Sequence, residues 1–144
     1  MAVKTVNVES KLDSKFKMVS AVSGHQIIVD QPAATGGAGA GPTPLEYLMV
    51  SLAGCIGTMG RIIAMQKQIA LHGMTISVEG DLNMDGLLGQ LTDDPIGFKE
   101  IRVSIDVDAE ISAEEKKALV LEAEARCPVS WNLLNVSKVT ISTV

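Results

Sequence analysis

The sequence of 144 residues predicts an α+β fold with two antiparallel sheets around a long buried central helix. Three observations support this fold class. Short segments with alternating apolar residues occur near the N-terminus and in the middle of the chain. A long apolar segment follows a well-marked helix start at Thr43, and a second helix start lies at Ser112. The predicted order is β-β-β-α-β-β-α-β, in a single domain that spans 1–144.

The composition excludes several classes of function. The chain has 12 basic and 17 acidic residues, so its net charge of −5 argues against binding nucleic acid or an anionic membrane through bulk charge. Only 3% of the residues are aromatic, which leaves little for a base-stacking surface. Met1–Ser10 has no signal-peptide pattern, and the charge-free run Tyr47–Gly60 is shorter than the ~18 residues of a membrane span. We therefore expect a soluble, cytoplasmic protein without nucleic-acid or membrane partners.

Three strands and a loop are predicted first. Val3–Glu9 and Lys15–Val22 place apolar residues at every second position, and Ser23-Gly24 predicts a turn into a third strand, His25–Asp30. Segment 31–43 is rich in glycine and proline and predicts a long loop, a feature that is often functional. Its glycines match neither of the common phosphate-binding patterns, so flexibility beside a helix start is the favoured interpretation.

The central helix is the best-marked element. Thr43-Pro44-Leu45-Glu46 supplies an N-cap hydroxyl, a proline at the first helical position and a capping carboxylate. The segment is apolar on nearly every face as far as His72-Gly73, where the glycine can end the helix. At ~1.5 Å per residue it would be ~42 Å long. We expect it to kink near its glycines or to cross an interface, and burial on all sides predicts a homodimer.

The second half of the chain predicts a strand pair. Met74–Leu82 and Phe98–Asp108 alternate apolar and polar residues, and a polar loop over 83–97 joins them. Lys138–Thr143 alternates again and predicts a final strand.

Two helices are predicted between these strands. Ser112-Ala113-Glu114-Glu115 is a capping box that opens a helix to about Arg126. Cys127-Pro128 ends that helix, because the residue before a proline avoids the helical region. Pro128 then starts a short helix over Val129–Leu134, in which Trp131 is expected to lie in the core or to line an apolar pocket.

The two cysteines are the main candidates for chemistry. Cys55 is either a small buried core residue or a reactive thiol in the central helix. Cys127 is either part of an ordinary helix junction or a thiol whose pKa is lowered by the free N–H groups of the following helix. The two cysteines are far apart in sequence, so spacing does not establish that they meet.

A metal site is not expected. Cys55, Cys127, His25 and His72 are the available ligands, but structural zinc sites use closely spaced pairs and this chain has none. Glu46 is explained as a capping carboxylate. At 100° per residue it points away from Cys55 on a straight helix.

Several motifs in this chain resemble the OsmC/Ohr family. They are Gly41-Pro42-Thr43-Pro44-Leu45-Glu46-Tyr47-Leu48, Ser51-Leu52-Ala53-Gly54-Cys55, Arg126-Cys127-Pro128-Val129-Ser130 and Ser23-Gly24-His25. The resemblance implies an intertwined homodimer with Cys55 buried near the subunit interface. It also implies a thiol-dependent peroxidase of organic hydroperoxides, in which Cys55 is peroxidatic and Cys127 resolving. An external dithiol would act as reductant, with no bound cofactor.

The chain departs from the family pattern at two places. The family's N-terminal arginine is missing, since the first arginine is Arg61, and Lys15 or Lys17 would replace it as a point charge. Glu46 lies one place after the family's glutamate. The resemblance therefore favours a less characterised OsmC-like branch, with Glu46 and Lys17 as further site residues. The alternatives are binding of a lipid-like or thiol compound in a dimer-interface pocket without turnover, and a thiol-transfer role.

Overall fold

The computed structural model describes residues 3–143 and confirms the α+β prediction with two antiparallel sheets. The strands are β1 Glu9–Ser14, β2 Lys17–Val22, β3 His25–Val29, β4 Leu71–Asp81 and β5 Glu100–Ala109. The helices are α1 Pro44–Gln66, α2 Met84–Leu87, α3 Ala113–Ala125 and α4 Pro128–Leu134. Strands β1–β2–β3 form one sheet, and β4 pairs with β5 in the other. The chain separates into an N-terminal unit that runs to Leu48 and a C-terminal unit that begins at Met49.

The sheet of the N-terminal unit consists of two hairpins. Ser23 and Gly24 both have positive φ angles, 49° and 80°, and Val22 pairs with His25 across this two-residue turn, as predicted. The predicted strand Val3–Glu9 is wrong, because residues 3–8 have no regular structure and are exposed. Glu9 already pairs with Ala21, so only Val22 of β2 remains beyond this pair, too little to form a strand with residues 3–8.

The loop after β3 is organised around one buried carboxylate. Asp30 is 1% exposed, and its N–H donates to the carbonyl oxygen of Pro42 at 3.2 Å. Its side-chain oxygens accept three backbone N–H groups at 2.8, 3.1 and 3.0 Å, from Gln31, Ala38 and Ala40. The loop also contains a 3₁₀ turn, Ala33–Thr35. Its conformation is therefore built by hydrogen bonds that converge on one side chain.

The glycines of this loop are required by close backbone packing. A Cβ atom on Gly37 would lie 1.9 Å from the carbonyl oxygen of Gln31, and one on Gly41 would lie 2.2 Å from that of Ile28. Both neighbours are backbone atoms and cannot rotate away. The sequence-based interpretation of these glycines as a source of flexibility is therefore replaced by a steric one.

Helix α1 begins where predicted but ends earlier. The side-chain Oε2 of Glu46 accepts the N–H of Thr43 at 2.7 Å, and the Thr43 hydroxyl accepts the N–H of Glu46 at 3.3 Å. The helix ends at Gln66, where Gln68 adopts a left-handed φ of 57° and the N–H of Ile69 donates to Ala64 at 2.8 Å. The predicted stop at His72-Gly73 is wrong, because these residues lie in β4, which pairs with β5 on both sides of an irregularity at His72.

Helix α1 is buried on one side within the single chain. Its buried residues are Leu52, Ile56, Gly60, Ile63 and Ala64, whereas Val50 and Met65 are 60% and 71% exposed. The expected burial on all sides is therefore not reached within the described chain.

Helix α1 is long and apolar enough to cross a membrane. The charge-free run Tyr47–Gly60, taken alone, is shorter than the ~18 residues that a span needs. Core helices of water-soluble proteins pass the same test, so this single helix is weak evidence for a span.

The C-terminal unit packs α1, α3 and the β4–β5 pair around one hydrophobic core. The Ser112 capping box opens α3 as predicted, with Ser112 and Glu115 exchanging hydrogen bonds of 2.8 and 3.2 Å. The core contains apolar residues of every one of these elements and Cys127: Leu52, Ile56, Ile63, Ala64, Leu71, Val107, Ala109, Leu119, Ala123 and Cys127.

Two predictions for the C-terminal end are wrong. Residues 138–143 form no strand and pair with no other strand in the described part of the chain, and their apolar side chains Val139 and Ile141 are exposed. Trp131, predicted to lie in the core or to line an apolar pocket, is 55% exposed, because the buried side of α4 carries Ser130. The predicted loop over 83–97 also contains the short helix α2, which Asn83 caps by accepting the N–H of Asp85.

Candidate thiol site

The structure brings the two cysteines together. Cys55 lies in the middle of α1, and Cys127 is the N-cap residue of α4. Both thiols are free, and their side chains are close enough to hydrogen-bond each other. Cys55 is half-buried, whereas Cys127 is 1% exposed. Sequence spacing could not establish this contact, since it depends on how α4 packs beside α1.

The first turn of α4 holds both sulfur atoms. Pro128 occupies the first helical position and has no N–H, so Val129 and Ser130 carry the next free donors. The N–H of Ser130 donates to Sγ of Cys127 at 3.3 Å, and the N–H of Val129 lies close enough to the sulfur of Cys55 to stabilise its thiolate. The sequence correctly predicted Cys127 at a helix N-terminus, and the structure adds that the same turn reaches Cys55.

The surroundings of Cys55 favour its neutral thiol. Burial is the largest effect and raises the pKa of Cys55, and the adjacent Cys127 side chain raises it further. The N–H of Val129 acts in the opposite direction, because it stabilises the thiolate. The N–H of Val129 therefore stabilises the Cys55 thiolate by less than burial destabilises it.

A serine and a glutamate that the sequence analysis did not single out adjoin the thiols. Ser130 is 7% exposed, and its hydroxyl donates to Oε1 of Glu124 at 2.8 Å. Glu124 lies near the C-terminal end of α3, where a carboxylate is unfavourable for the helix dipole. A glutamate in this unfavourable position is the feature of the sequence that could have marked Glu124 as a candidate site residue.

An apolar cavity of about 530 Å³ lies in the C-terminal unit, and neighbours of both cysteines line it, although neither cysteine does so itself. Leu52 and Ile56, which flank Cys55 on α1, form one wall, and Ser130, which donates to Cys127, belongs to another. The remaining lining comes from β5, α3 and α4 together with Phe98 and Lys99, which precede β5. Its charged residues are Lys99, Glu100 and Glu124. Its size is in the range of cavities that hold small organic ligands.

The other two predicted site residues lie in the N-terminal unit. Lys17 forms an ion pair with Asp13 at 2.6 Å, and this partner raises the pKa of Lys17. The carboxylate of Glu46 is engaged by the N–H and hydroxyl of Thr43, which lower its pKa. Lys15 lies in the turn between β1 and β2 with a positive φ of 49°. Their predicted roles at a thiol site stay predictions.

Three further polar residues of the C-terminal unit, Arg126, Arg61 and His72, take structural positions. Arg126 forms an ion pair with Glu122 and donates to Gln66, and the guanidinium of Arg61 donates to the carbonyl oxygen of Leu71. His72 lies in β4 instead of at a helix end. Among residues 3–143, no group of three or more His, Cys, Asp or Glu side chains is arranged to hold a metal ion.

Comparison with known families identifies the fold and the motifs around both cysteines. The family described as OsmC-like protein matches residues 36–143, a segment that includes Cys55 and Cys127. The chain belongs to the OsmC-like protein family. A comparison with proteins of curated function found no match.

Three solved structures show the family fold. An OsmC-like protein from Mycoplasma pneumoniae is 25% identical, with a TM-score of 0.79, 92% of this chain and 89% of that chain covered. An organic hydroperoxide resistance protein OsmC from Legionella pneumophila, also described as a predicted redox protein, is 20% identical, with a TM-score of 0.66 and coverages of 92% and 91%. A putative organic hydroperoxide resistance protein from Vibrio cholerae, with captopril in one active site, is 16% identical, with a TM-score of 0.62 and coverages of 92% and 86%.

Proposed function

We propose that this OsmC-like protein is a thiol-dependent peroxidase that reduces organic hydroperoxides in defence against oxidative stress. The observation that carries the proposal is the contact between two free thiols on different helices, Cys55 on α1 and Cys127 at the N-cap of α4. A peroxidase of this type needs one thiol to attack and a second thiol within reach to form a disulfide.

The proposed reaction proceeds in three balanced steps. The Cys55 thiolate attacks one oxygen of the O–O bond, which leaves a sulfenic acid on Cys55 and releases the alcohol. The Cys127 thiol then attacks the Cys55 sulfur, the S–O bond breaks, and water leaves as the disulfide forms. An external dithiol reduces the disulfide by exchange and becomes a disulfide itself.

The cavity favours an organic substrate over hydrogen peroxide. Its walls include Leu52 and Ile56 from the helix that carries Cys55, so a substrate with an apolar group would gain by burying that group there. The structural relatives named for organic hydroperoxide resistance support this substrate class.

The direct test follows hydroperoxide consumption with cumene hydroperoxide and dithiothreitol. Cys55→Ser is expected to abolish turnover, and Cys127→Ser is expected to stop at a Cys55 sulfenic acid that intact-protein mass spectrometry detects after one equivalent of peroxide. Lys117→Ala, an exposed change on α3, is the control and should turn over normally. Undiminished turnover in Cys55→Ser, or none in wild type with several dithiols, would refute the proposal.

The second candidate function is binding of a small apolar or thiol compound without turnover. Two observations favour it: the cavity next to the thiols, and a Cys55 pKa that is raised and not lowered. The captopril in the Vibrio cholerae relative is such a compound, since captopril is a thiol. Calorimetric binding of captopril to the reduced protein, combined with no hydroperoxide turnover, would favour binding over catalysis.

We also propose a homodimer in which a second copy covers the exposed side of α1. Val50 and Met65 on this helix are exposed in the single chain, and burying such side chains is favourable. Size-exclusion chromatography with light scattering is expected to give twice the chain mass of 15.2 kDa. A monomer at micromolar concentration would contradict the dimer and leave the thiol chemistry open to its own test.

A further inference from the structure

We infer that Glu124 is a positioning residue for the resolving thiol Cys127 and that it acts through Ser130. The inference rests on the proposed thiol-peroxidase function. The Ser130 hydroxyl donates to Oε1 of Glu124 at 2.8 Å, while the Ser130 N–H donates to Sγ of Cys127 at 3.3 Å. One buried serine therefore links the carboxylate of α3 to the sulfur atom at the start of α4.

The direction of the Glu124 side chain distinguishes it from a neighbouring glutamate on the same helix. Glu122 forms ion pairs with Lys67 and Arg126, as is common for a surface carboxylate. Glu124 instead directs its carboxylate to Ser130 and lies on the wall of the apolar cavity. A carboxylate near the C-terminal end of a helix is unfavourable for the helix dipole, so helix formation does not explain its presence.

The consequence concerns the orientation of both sulfur atoms. The N–H of Ser130 donates to Cys127, and the N–H of Val129 in the same helical turn lies near the sulfur of Cys55. Anchoring this turn to α3 fixes the direction from which the Cys127 sulfur approaches Cys55. Displacement at sulfur requires the attacking sulfur to lie in line with the bond that breaks, so the rate of disulfide closure depends on this alignment.

Two pairs of variants separate the hydrogen bond from bulk effects. Glu124→Leu and Ser130→Ala remove the acceptor and the hydroxyl, and each is expected to slow disulfide closure about tenfold, as for the loss of one hydrogen bond to a charged group. Glu124→Gln keeps an acceptor oxygen and Ser130→Thr keeps a hydroxyl, so both should close at nearly the wild-type rate. Glu122→Leu, the same change on the same helix, is the matched control and should leave closure unchanged.

Closure is measured on the full-length reduced protein with 5,5′-dithiobis(2-nitrobenzoate), without peroxide. One protein thiolate attacks the reagent disulfide and releases a first aryl thiolate. The second protein thiolate attacks the mixed disulfide, releases a second aryl thiolate and leaves the Cys55–Cys127 disulfide. The second absorbance phase is the closure rate, and thermal unfolding of each variant is measured in parallel to detect lost stability.

The outcomes separate this inference from the proposed function. A tenfold slower second phase in Glu124→Leu and Ser130→Ala, with the conservative variants near wild type, supports positioning even if cumene hydroperoxide is not consumed. Wild-type closure in both disruptive variants overturns the inference. Equal slowing in Glu122→Leu, or in Glu124→Gln, also overturns it, because the loss would then follow helix stability or charge. A wild type that releases one aryl thiolate only overturns it as well.

Discussion

Asp30 in the N-terminal unit and Cys55 in the C-terminal unit are both acidic groups held by backbone N–H donors, yet their pKa values shift in opposite directions. Asp30 accepts three N–H groups, of which that of Ala40 has the largest effect, and its pKa is lowered despite burial. Cys55 accepts one, from Val129, and burial raises its pKa. At Asp30 the three donors, together with the charge of Lys17, outweigh burial, whereas at Cys55 the single donor does not.

The difference follows from the local backbone. An irregular loop has N–H groups that no helix uses, so several can converge on the Asp30 carboxylate. The first turn of α4 has fewer donors to offer, because Pro128 lacks an N–H and Ser130 donates to Cys127. In the proposed peroxidase, the Cys55 thiolate therefore needs either a higher pH or a positive charge from outside the C-terminal unit.

The largest effect is expected when the Asp30 loop is broken at Gly37. In Gly37→Ala the new Cβ would lie 1.9 Å from the carbonyl oxygen of Gln31, and relief requires backbone movement that disrupts the hydrogen bonds to Asp30. We expect the melting temperature to fall by about 10 °C or more. Circular dichroism during heating measures it.

Gly97→Ala is the matched control for this prediction. Gly97 also lies in an exposed loop, but a Cβ there meets no atom within 4 Å, so its melting temperature should stay near that of wild type. Equal melting temperatures for Gly37→Ala and wild type would show that the loop is not packed as the structure describes it.

A smaller loss is expected for Asp30→Asn. The amide keeps one acceptor oxygen and loses the negative charge, so the N–H groups of Gln31, Ala38 and Ala40 can no longer all be satisfied. We expect a melting temperature about 5 °C lower at neutral pH, measured by differential scanning fluorimetry.

The pH dependence of this variant tests the pKa shift itself. Because the pKa of Asp30 is lowered from its ordinary value of 3.8, its contribution to stability is present above that value and is lost as the pH falls through the folded-state pKa. The stability difference between wild type and Asp30→Asn should therefore shrink only at strongly acidic pH. A difference that disappears already near pH 5 would contradict a lowered pKa.

The sequence predicted elements whose cause is local and missed those whose cause is a distant partner. The capping side chains of Thr43 and Ser112 are within three residues of the N–H groups they satisfy, so both helix starts were predicted correctly. The end of α1 was wrong, because Gln68, not a glycine, takes the left-handed conformation. The strand Lys138–Thr143 was predicted from alternation, which gives no information about whether a pairing strand exists.

The candidate site divides in the same way. Both cysteines and the N-cap position of Cys127 were predicted from the sequence, the latter because Pro128 marks a helix start. The link from Glu124 through Ser130 was missed, since it depends on the packing of α3 against α4. The steric role of Gly37 and Gly41 was missed, because composition does not show which glycine faces a carbonyl oxygen.

The smallest effect is expected when the N–H of Val129, the one backbone donor near the Cys55 sulfur, is removed. Thiolates, not thiols, react with iodoacetamide, so a raised pKa makes Cys55 react more slowly at neutral pH than an unstructured cysteine peptide. Its rate should continue to rise at pH values where the peptide has levelled off. Val129→Pro removes the N–H at a position in the first helical turn where proline is tolerated, and it should slow the neutral-pH reaction a further two- to tenfold, roughly.

Val129→Ala keeps the N–H and is the matched control, expected to react at the wild-type rate. Peptide mass spectrometry assigns the alkylation to Cys55 and separates it from Cys127. If the wild-type rate levels off at a lower pH than the rate of the peptide, the pKa of Cys55 is lowered and not raised. Burial would then not be the dominant effect on this thiol, and a positive charge from outside the C-terminal unit would be required. An unchanged rate in Val129→Pro would show that this N–H does not affect the pKa of Cys55, and that burial determines it without this donor.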